Sequence, residues 1–303
     1  MNMTNCNLCP RKCSVDRTSA LGYCGQTNEI RVARAAPHMW EEPCISGKNG
    51  SGTVFFCGCT LGCVYCQNAA ISRAQNAKNG TCVTVEQLSA IFIKLQNQGV
   101  HNINLVTPTM FAIDIAEAIK LARGRGLLLP IVYNTSGYES ADVLERISET
   151  IDIYLPDFKY LSSELSGKYS HATDYPKYAA DSLDFMVKRI GEAQFDKDGM
   201  MTRGVIVRHL LLPGHLTESR HVLDFLFARY GNSIFYSLMN QYTPMPTLDT
   251  ELYPELSRKV TTYEYQKLID YARTLGIRNG FIQDDGTAKE SFIPAFNGEG
   301  VDF

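Results

Sequence analysis

From residue 53 to residue 275, short runs of β-branched and aromatic residues alternate with stretches whose apolar residues recur every three to four positions. The runs at 53–57, 102–106, 130–134, 152–155, 205–211 and 234–239 have the length of buried strands. The stretches at 84–98, 113–123, 141–149, 183–192, 218–229 and 262–275 have the period of amphipathic helices. Leu88, Ile91, Phe92 and Leu95 share one face of the first of these, and Thr84 with Gln87 three residues on predicts a capping box at its start. Such alternation predicts parallel strands joined by crossover helices. Six βα units are too few for a closed eight-stranded barrel. The fold class expected is therefore α/β: a partial (βα)6 TIM-like barrel with a small Cys-rich N-terminal segment.

That segment, residues 1–50, has little periodic hydrophobicity and almost no core of its own. It carries Cys6, Cys9, Cys13 and Cys24, and four thiols at these spacings suit a tetrahedral zinc site or a second iron-sulfur cluster, either of which would supply folding energy. Glycines between 47 and 52 then predict a linker or tight turn. The division expected is 1–50 for the Cys-rich segment and 51–303 for the barrel with a C-terminal extension.

Directly after the first barrel strand stands Cys59-Thr60-Leu61-Gly62-Cys63-Val64-Tyr65-Cys66. Three thiolates on one short loop select zinc or an iron-sulfur cluster. Structural zinc sites usually come as two CxxC pairs, whereas a 4Fe-4S cube held by three cysteines keeps one iron open. Cys57, two residues before Cys59 on an extended strand, is a candidate fourth ligand that would close the cluster and make the protein an electron carrier. Cys44 and Cys82 read as small apolar residues and Trp40 as packing.

CxxxCxxC with an aromatic before the last cysteine resembles the signature of the radical S-adenosylmethionine (radical SAM) superfamily, and the following Gln67-Asn68 resembles its pyruvate formate-lyase activating enzyme-like branch. The resemblance implies that the open iron binds the cosubstrate S-adenosylmethionine. Reductive cleavage would then give methionine and a 5'-deoxyadenosyl radical that abstracts hydrogen from a substrate, which the branch implies is a glycyl residue of a partner enzyme. An external electron donor such as flavodoxin or ferredoxin follows from the same chemistry. The alternative class is a non-catalytic iron-sulfur protein that carries electrons or binds a partner.

In βα barrels the chemistry gathers at the C-terminal ends of the strands. There the chain offers Thr107 and Thr109, where the family often has Gly-Gly-Glu, and Asn134 and Ser136, in a text resembling Asp-Thr-Asn-Gly. Asp157 and Lys159 match an Asp-x-Lys ending, with a plain surface ion pair as the competing reading. Arg208 stands in a text resembling Arg-Tyr-Val-Val-Val-Pro-Gly, and Gln241 where activating enzymes offer a Tyr-His pair. With Tyr65, these are the expected cosubstrate contacts. Asn134 lacks the charge by which the family's aspartate helps hold a monovalent cation. His209, next to Arg208, faces the other side by strand alternation and reads as packed.

Composition narrows the rest. The 303 residues are 45% apolar and 20% charged with a net charge of -3, which gives no footprint for nucleic acid or an anionic membrane. The N-terminus has no basic and apolar leader pattern and no apolar run is long enough to span a bilayer, so the location expected is cytoplasmic, where ten cysteines point to metal and not to disulfides. Glu41-Glu42 and Asp284-Asp285 read as solvated pairs, Asp284-Asp285-Gly286 as a turn, and residues 281–303 as closing the open barrel edge or lying against its pocket.

Overall fold

The computed structural model describes residues 5–73, 79–283 and 293–301. In chain order the elements are β1 (Ile30–His38), α1 (Pro43–Ser46), β2 (Ser51–Phe56), α2 (Ala69–Ser72), β3 (Thr81–Val83), α3 (Val85–Asn97), β4 (Ile103–Val106), α4 (Ala112–Gly124), β5 (Ile131–Thr135) and α5 (Ala141–Ile147). They continue with β6 (Ile153–Pro156), α6 (Ser163–Ser170), α7 (Tyr175–Ile190), β7 (Gln194–Phe195), β8 (Met201–Leu210), α8 (Leu216–Tyr230), β9 (Phe235–Met239), α9 (Thr262–Leu275) and β10 (Gly280–Ile282). Strands β2, β4, β5, β6, β8, β9 and β10 pair in that order and all in parallel, and the sheet stays open. The six expected strands are the core of this array, and the expected capping box at Thr84 is formed by both of its hydrogen bonds.

Four features depart from the sequence pattern. β1 pairs antiparallel with β2, and β3 pairs antiparallel with β1, so the second half of the Cys-rich segment contributes a sheet edge. The glycine-rich stretch turns only as far as Gly50, because β2 already begins at Ser51. Helix α7 starts at Tyr175, eight residues before the expected start, since Tyr175 and Ala179 are buried although few large apolar residues mark that turn. Trp40 is 58% exposed and Cys82 is exposed, so neither is the packing residue that was expected.

The two faces of the parallel sheet divide by strand alternation. Outward-facing Val54, Leu105, Tyr133, Tyr154 and Val207 join the helices in one large core. His209 is on that face, its ring nitrogens bonded to the Phe158 carbonyl at 2.7 Å and Ser219 Oγ at 2.8 Å, as alternation predicts. The inner face is plugged from below. Cys44 and Ile45 of α1 pack on Val132, Ile153, Leu155 and Ile206, so the short helix fills the barrel's floor.

The plug carries the largest correction to the sequence reading. Glu41 and Glu42, expected to be solvated, are buried inside the barrel. The loop that delivers α1 to the floor also carries them inward, where Asn104 Nδ2 donates to Glu41 Oε1 at 3.0 Å.

The C-terminal segment lies against the pocket, one of its two expected roles, but it lengthens the open sheet edge and does not close it. β10 extends the open edge at β9, while residues 293–301 run along β1, where Ala35 N–H donates to the Glu299 carbonyl at 2.9 Å and Arg34 pairs with Glu299 at 2.9 Å. Phe281, Ile282, Gln283, Ile293 and Pro294 also line the central cavity. Asp284, Asp285 and Gly286 lie outside the described residues. Among the described residues, no helix is long and apolar enough to cross a membrane.

Candidate active site and metal centre

The barrel's mouth opens on a cavity of about 320 Å³. Cys59, Cys63 and Cys66 line it, on a loop that leaves β2 through Gly58 and turns at Gly62, both with positive φ. Gly58 is required on two counts: its φ is +89°, and a Cβ there would lie 2.6 Å from the Cys24 carbonyl oxygen.

Each thiol has a donor close by. Leu61 N–H meets Cys59 Sγ at 3.4 Å, Ser170 Oγ donates to Cys63 Sγ at 3.0 Å, and Cys66 Sγ lies 3.2 Å from Ser72 Oγ. Such donors offset the negative charge of thiolates. Among the described residues no group of three or more Cys, His, Asp or Glu is set to hold a single metal ion. A 4Fe-4S cube does not need that convergence, because each thiolate binds its own iron. Cys59, Cys63 and Cys66, all lining one cavity, fit such a cube and would hold three of its irons.

Cys57 does not join them. The turn at Gly58 separates it from the loop, its thiol donates to the Asn79 carbonyl, and burial pushes that thiol up to about 12.

The same cavity is lined by a charged array on the strand ends. Lys159 Nζ is 2.6 Å from Asp157 Oδ2, and Arg208 Nε is 3.0 Å from Asp157 Oδ1. The other guanidinium nitrogens reach Glu41 Oε2 at 3.2 Å and Asn134 Oδ1 at 2.5 Å. None of these charged side chains is more than 17% exposed, which excludes the plain surface pair. Burial by itself would raise the Asp157 carboxyl, but Lys159 and Arg208 outweigh it and hold it below its ordinary value. For Glu41 and Glu42 burial wins over Arg208, and both carboxyls are pushed up. Glu42 Oε2 and Asn104 Oδ1 are buried and have no hydrogen-bond partner, so the barrel interior has acceptor capacity to spare.

Thr107 and Ser136 line the same cavity, Thr107 at φ +57°, a backbone state rare for a β-branched residue. Gln241 lines it too, its Oε1 accepting from Gln283 Nε2 at 2.9 Å. Tyr65 also lines the cavity, while its ring packs against Tyr169 and Tyr242 and its hydroxyl lies 2.5 Å from that of Tyr160 in the core. Tyr242 is in the core, its hydroxyl bonded to the Leu256 carbonyl at 2.6 Å.

Thr109 is the expected contact that the fold takes elsewhere. It is buried beside α4, and its hydroxyl donates to Glu139 Oε1 at 2.5 Å. Thr135 and Tyr133 donate to the same carboxyl. Burial, opposed by these three hydroxyls, still pushes Glu139 up to about 7. The folded protein thus holds a proton that the unfolded chain releases from about pH 4.5 upward. The associated stability is full below that pH and is lost as pH rises through 7. The shift corresponds to roughly 3 kcal/mol. Glu139→Gln is expected to flatten the decline in melting temperature between pH 5 and pH 8; an unchanged decline in the variant would refute the assignment.

Sequence reasoning missed Glu41, Glu42 and Asn104. Asn104 was the readable signal, because a polar residue at an inward position of an otherwise apolar strand requires a partner inside the barrel.

Comparisons with known proteins bear on the family and the fold. The profile of the radical SAM superfamily matches residues 53–226, which is more than half of the chain and contains the three-thiol loop together with Asn134, Asp157, Lys159 and Arg208. An uncharacterized protein of Methanocaldococcus jannaschii is 28% identical over 276 residues, spanning 88% of this chain and 74% of that protein. The structure of SuiB from Streptococcus suis bound to S-adenosylmethionine is similar in fold, with a TM-score of 0.50 and 14% identity over 76% of this chain. The chain spans about half of SuiB's length (49%). The fold, the thiol loop and the matching profile lead to one conclusion: this chain belongs to the radical SAM superfamily.

Proposed function

We propose that the protein is a radical SAM enzyme of the activating-enzyme type, an oxidoreductase that acts on a glycyl residue of a partner protein. The observation that carries the reading is the placement of Cys59, Cys63 and Cys66 on the same cavity as the buried Asp157, Lys159 and Arg208. When bound, the cluster and S-adenosylmethionine supply reductive cleavage to methionine and a 5'-deoxyadenosyl radical, which takes a hydrogen atom from the substrate. An external one-electron donor of the flavodoxin or ferredoxin class provides the electron.

The chain's own residues bind and orient. Lys159 and Arg208 bring two positive charges to a cavity that Asp157, Glu41 and Glu42 also line, and these two side chains are the cationic donors a ligand carboxylate would meet there. Thr107, Asn134 and Ser136 present hydroxyl and amide groups for a ribose or an amino group, and Gln241 and Tyr65 line the same cavity as further contacts. Val106, Leu210, Met239 and Phe281 supply apolar surface that excludes water from the reacting carbon.

Anaerobically reconstituted and reduced protein is expected to convert S-adenosylmethionine to equal amounts of methionine and 5'-deoxyadenosine. With a glycine-deuterated partner protein, deuterium should enter the 5'-deoxyadenosine. No 5'-deoxyadenosine above an unreduced control rejects the radical reading; 5'-deoxyadenosine without deuterium rejects the glycyl substrate alone.

A further inference from the structure

We propose that Cys6, Cys9, Cys13 and Cys24 hold a second 4Fe-4S cluster, set against the back of the thiol loop as the point where electrons enter. All ten cysteines of the chain are free thiols, and folding gathers these four. Cys9 lies within electrostatic reach of Cys6 and Cys24, and Cys24 within reach of Cys6 and Cys13. A methyl group at Gly22 would lie 3.4 Å from Cys24 Sγ and 3.6 Å from Cys13 Sγ, so two sulfurs flank one point. Burial raises both the Cys9 and the Cys24 thiol, and against it the backbone near Arg11 lowers the first and that near Gln26 the second. Cys6 N–H and the Cys6 carbonyl bond to Val15 and Ser14, closing a tight hairpin around Cys9 and Cys13.

One observation favours a cluster over zinc: the spacing is three close cysteines and one remote, not the two CxxC pairs usual for structural zinc.

The position gives the centre its role. Arg11 donates to the Thr60 carbonyl at 2.8 Å and the Leu61 carbonyl at 3.3 Å, Tyr23 Oη donates to the Leu61 carbonyl at 3.3 Å, and the Cys24 carbonyl packs on Gly58. The segment is thus bonded to the loop between Cys59 and Cys63. Cys13 is the least buried of the four, partly exposed where the other three are buried. A reduced flavodoxin-class donor loses one electron to this cluster, which passes it on to the loop cluster and returns to its oxidised state. Occupancy stands independently of the proposed function, whereas the inlet role rests on it.

The test uses the full chain reconstituted anaerobically with iron and sulfide, as wild type, as Cys59→Ala/Cys63→Ala/Cys66→Ala and as Cys6→Ala/Cys9→Ala. Wild type is expected to hold about eight irons and the triple variant about four, with a reduced-state EPR signal that S-adenosylmethionine does not alter. A triple variant without iron, or with zinc in place of iron, overturns the proposal, and failure to cleave S-adenosylmethionine leaves this count untouched. If Cys6→Ala/Cys9→Ala does not fold, the triple variant still decides occupancy. Reduced flavodoxin should reduce the cluster of the triple variant severalfold faster than the loop cluster of the double variant. Equal or reversed rates overturn the inlet role.

Discussion

Alanine at Cys59, Cys63 or Cys66 is expected to lower bound iron by about four per chain and to reduce 5'-deoxyadenosine to background, while the protein stays folded. The loop's fold does not depend on the sulfurs. Arg11 and Tyr23 hold the Thr60 and Leu61 carbonyls, and the Tyr169 carbonyl accepts from Val64 N–H. Removing Cys63 Sγ takes one acceptor from Ser170 Oγ, which still lies 3.0 Å from Tyr160 Oη. A cube left with two thiolates has no comparable reserve. Cys57→Ala is the contrast. Its thiol packs with Ala33, Ile71 and Val106 and bonds the Asn79 carbonyl, so its loss should cost on the order of 1–2 kcal/mol of stability and no iron. Iron analysis and circular dichroism on the four variants decide the matter: iron lost from Cys57→Ala but retained in Cys59→Ala would place the cluster elsewhere.

The difference between these cysteines also shows what the sequence could carry. Strand alternation puts Cys57 and Cys59 on one side of an extended chain, and only the positive φ at Gly58, imposed by the approach of the Cys24 carbonyl, sends them apart. That contact spans more than thirty positions and leaves no mark in local spacing. The six barrel strands and their helices were legible because each buries its own periodic face. β1 was not, because it is an antiparallel addition whose partner, β2, was already accounted for as a parallel strand. Of the expected cavity residues, those at strand ends arrive together because the parallel sheet aligns them. Thr109 does not, because Thr107 at φ +57° turns the chain into α4. Glu41 reaches the cavity from the opposite end of the barrel, on a loop whose acidic pair looks like any solvated turn.

That loop makes Arg208 the most consequential side chain inside the barrel. Arg208→Ala is expected to destabilise the protein by about 3–5 kcal/mol, the usual result of removing one partner from a buried ion pair. Three elements lose a common partner at once: Asp157 at the end of β6, Asn134 on β5 and Glu41 on the plug. Asp157 keeps Lys159, but Glu41 keeps only amide donors from Asn104 and Asn134. Its carboxyl, already raised by burial, moves further up. A raised carboxyl is tolerated while protonated, so the variant's deficit should shrink as pH falls and grow as pH rises. Arg208→Lys keeps the charge but cannot span three acceptors with a planar fork, and should fall between wild type and alanine. The same order should hold for S-adenosylmethionine binding to the reconstituted protein, with a loss of about tenfold or more for alanine, since a charge-assisted contact is worth ~1.5–3 kcal/mol. Urea unfolding at several pH values measures the first effect and anaerobic equilibrium binding the second. An Arg208→Ala protein within about 1 kcal/mol of wild type would mean that the plug and the strand ends are held by packing alone.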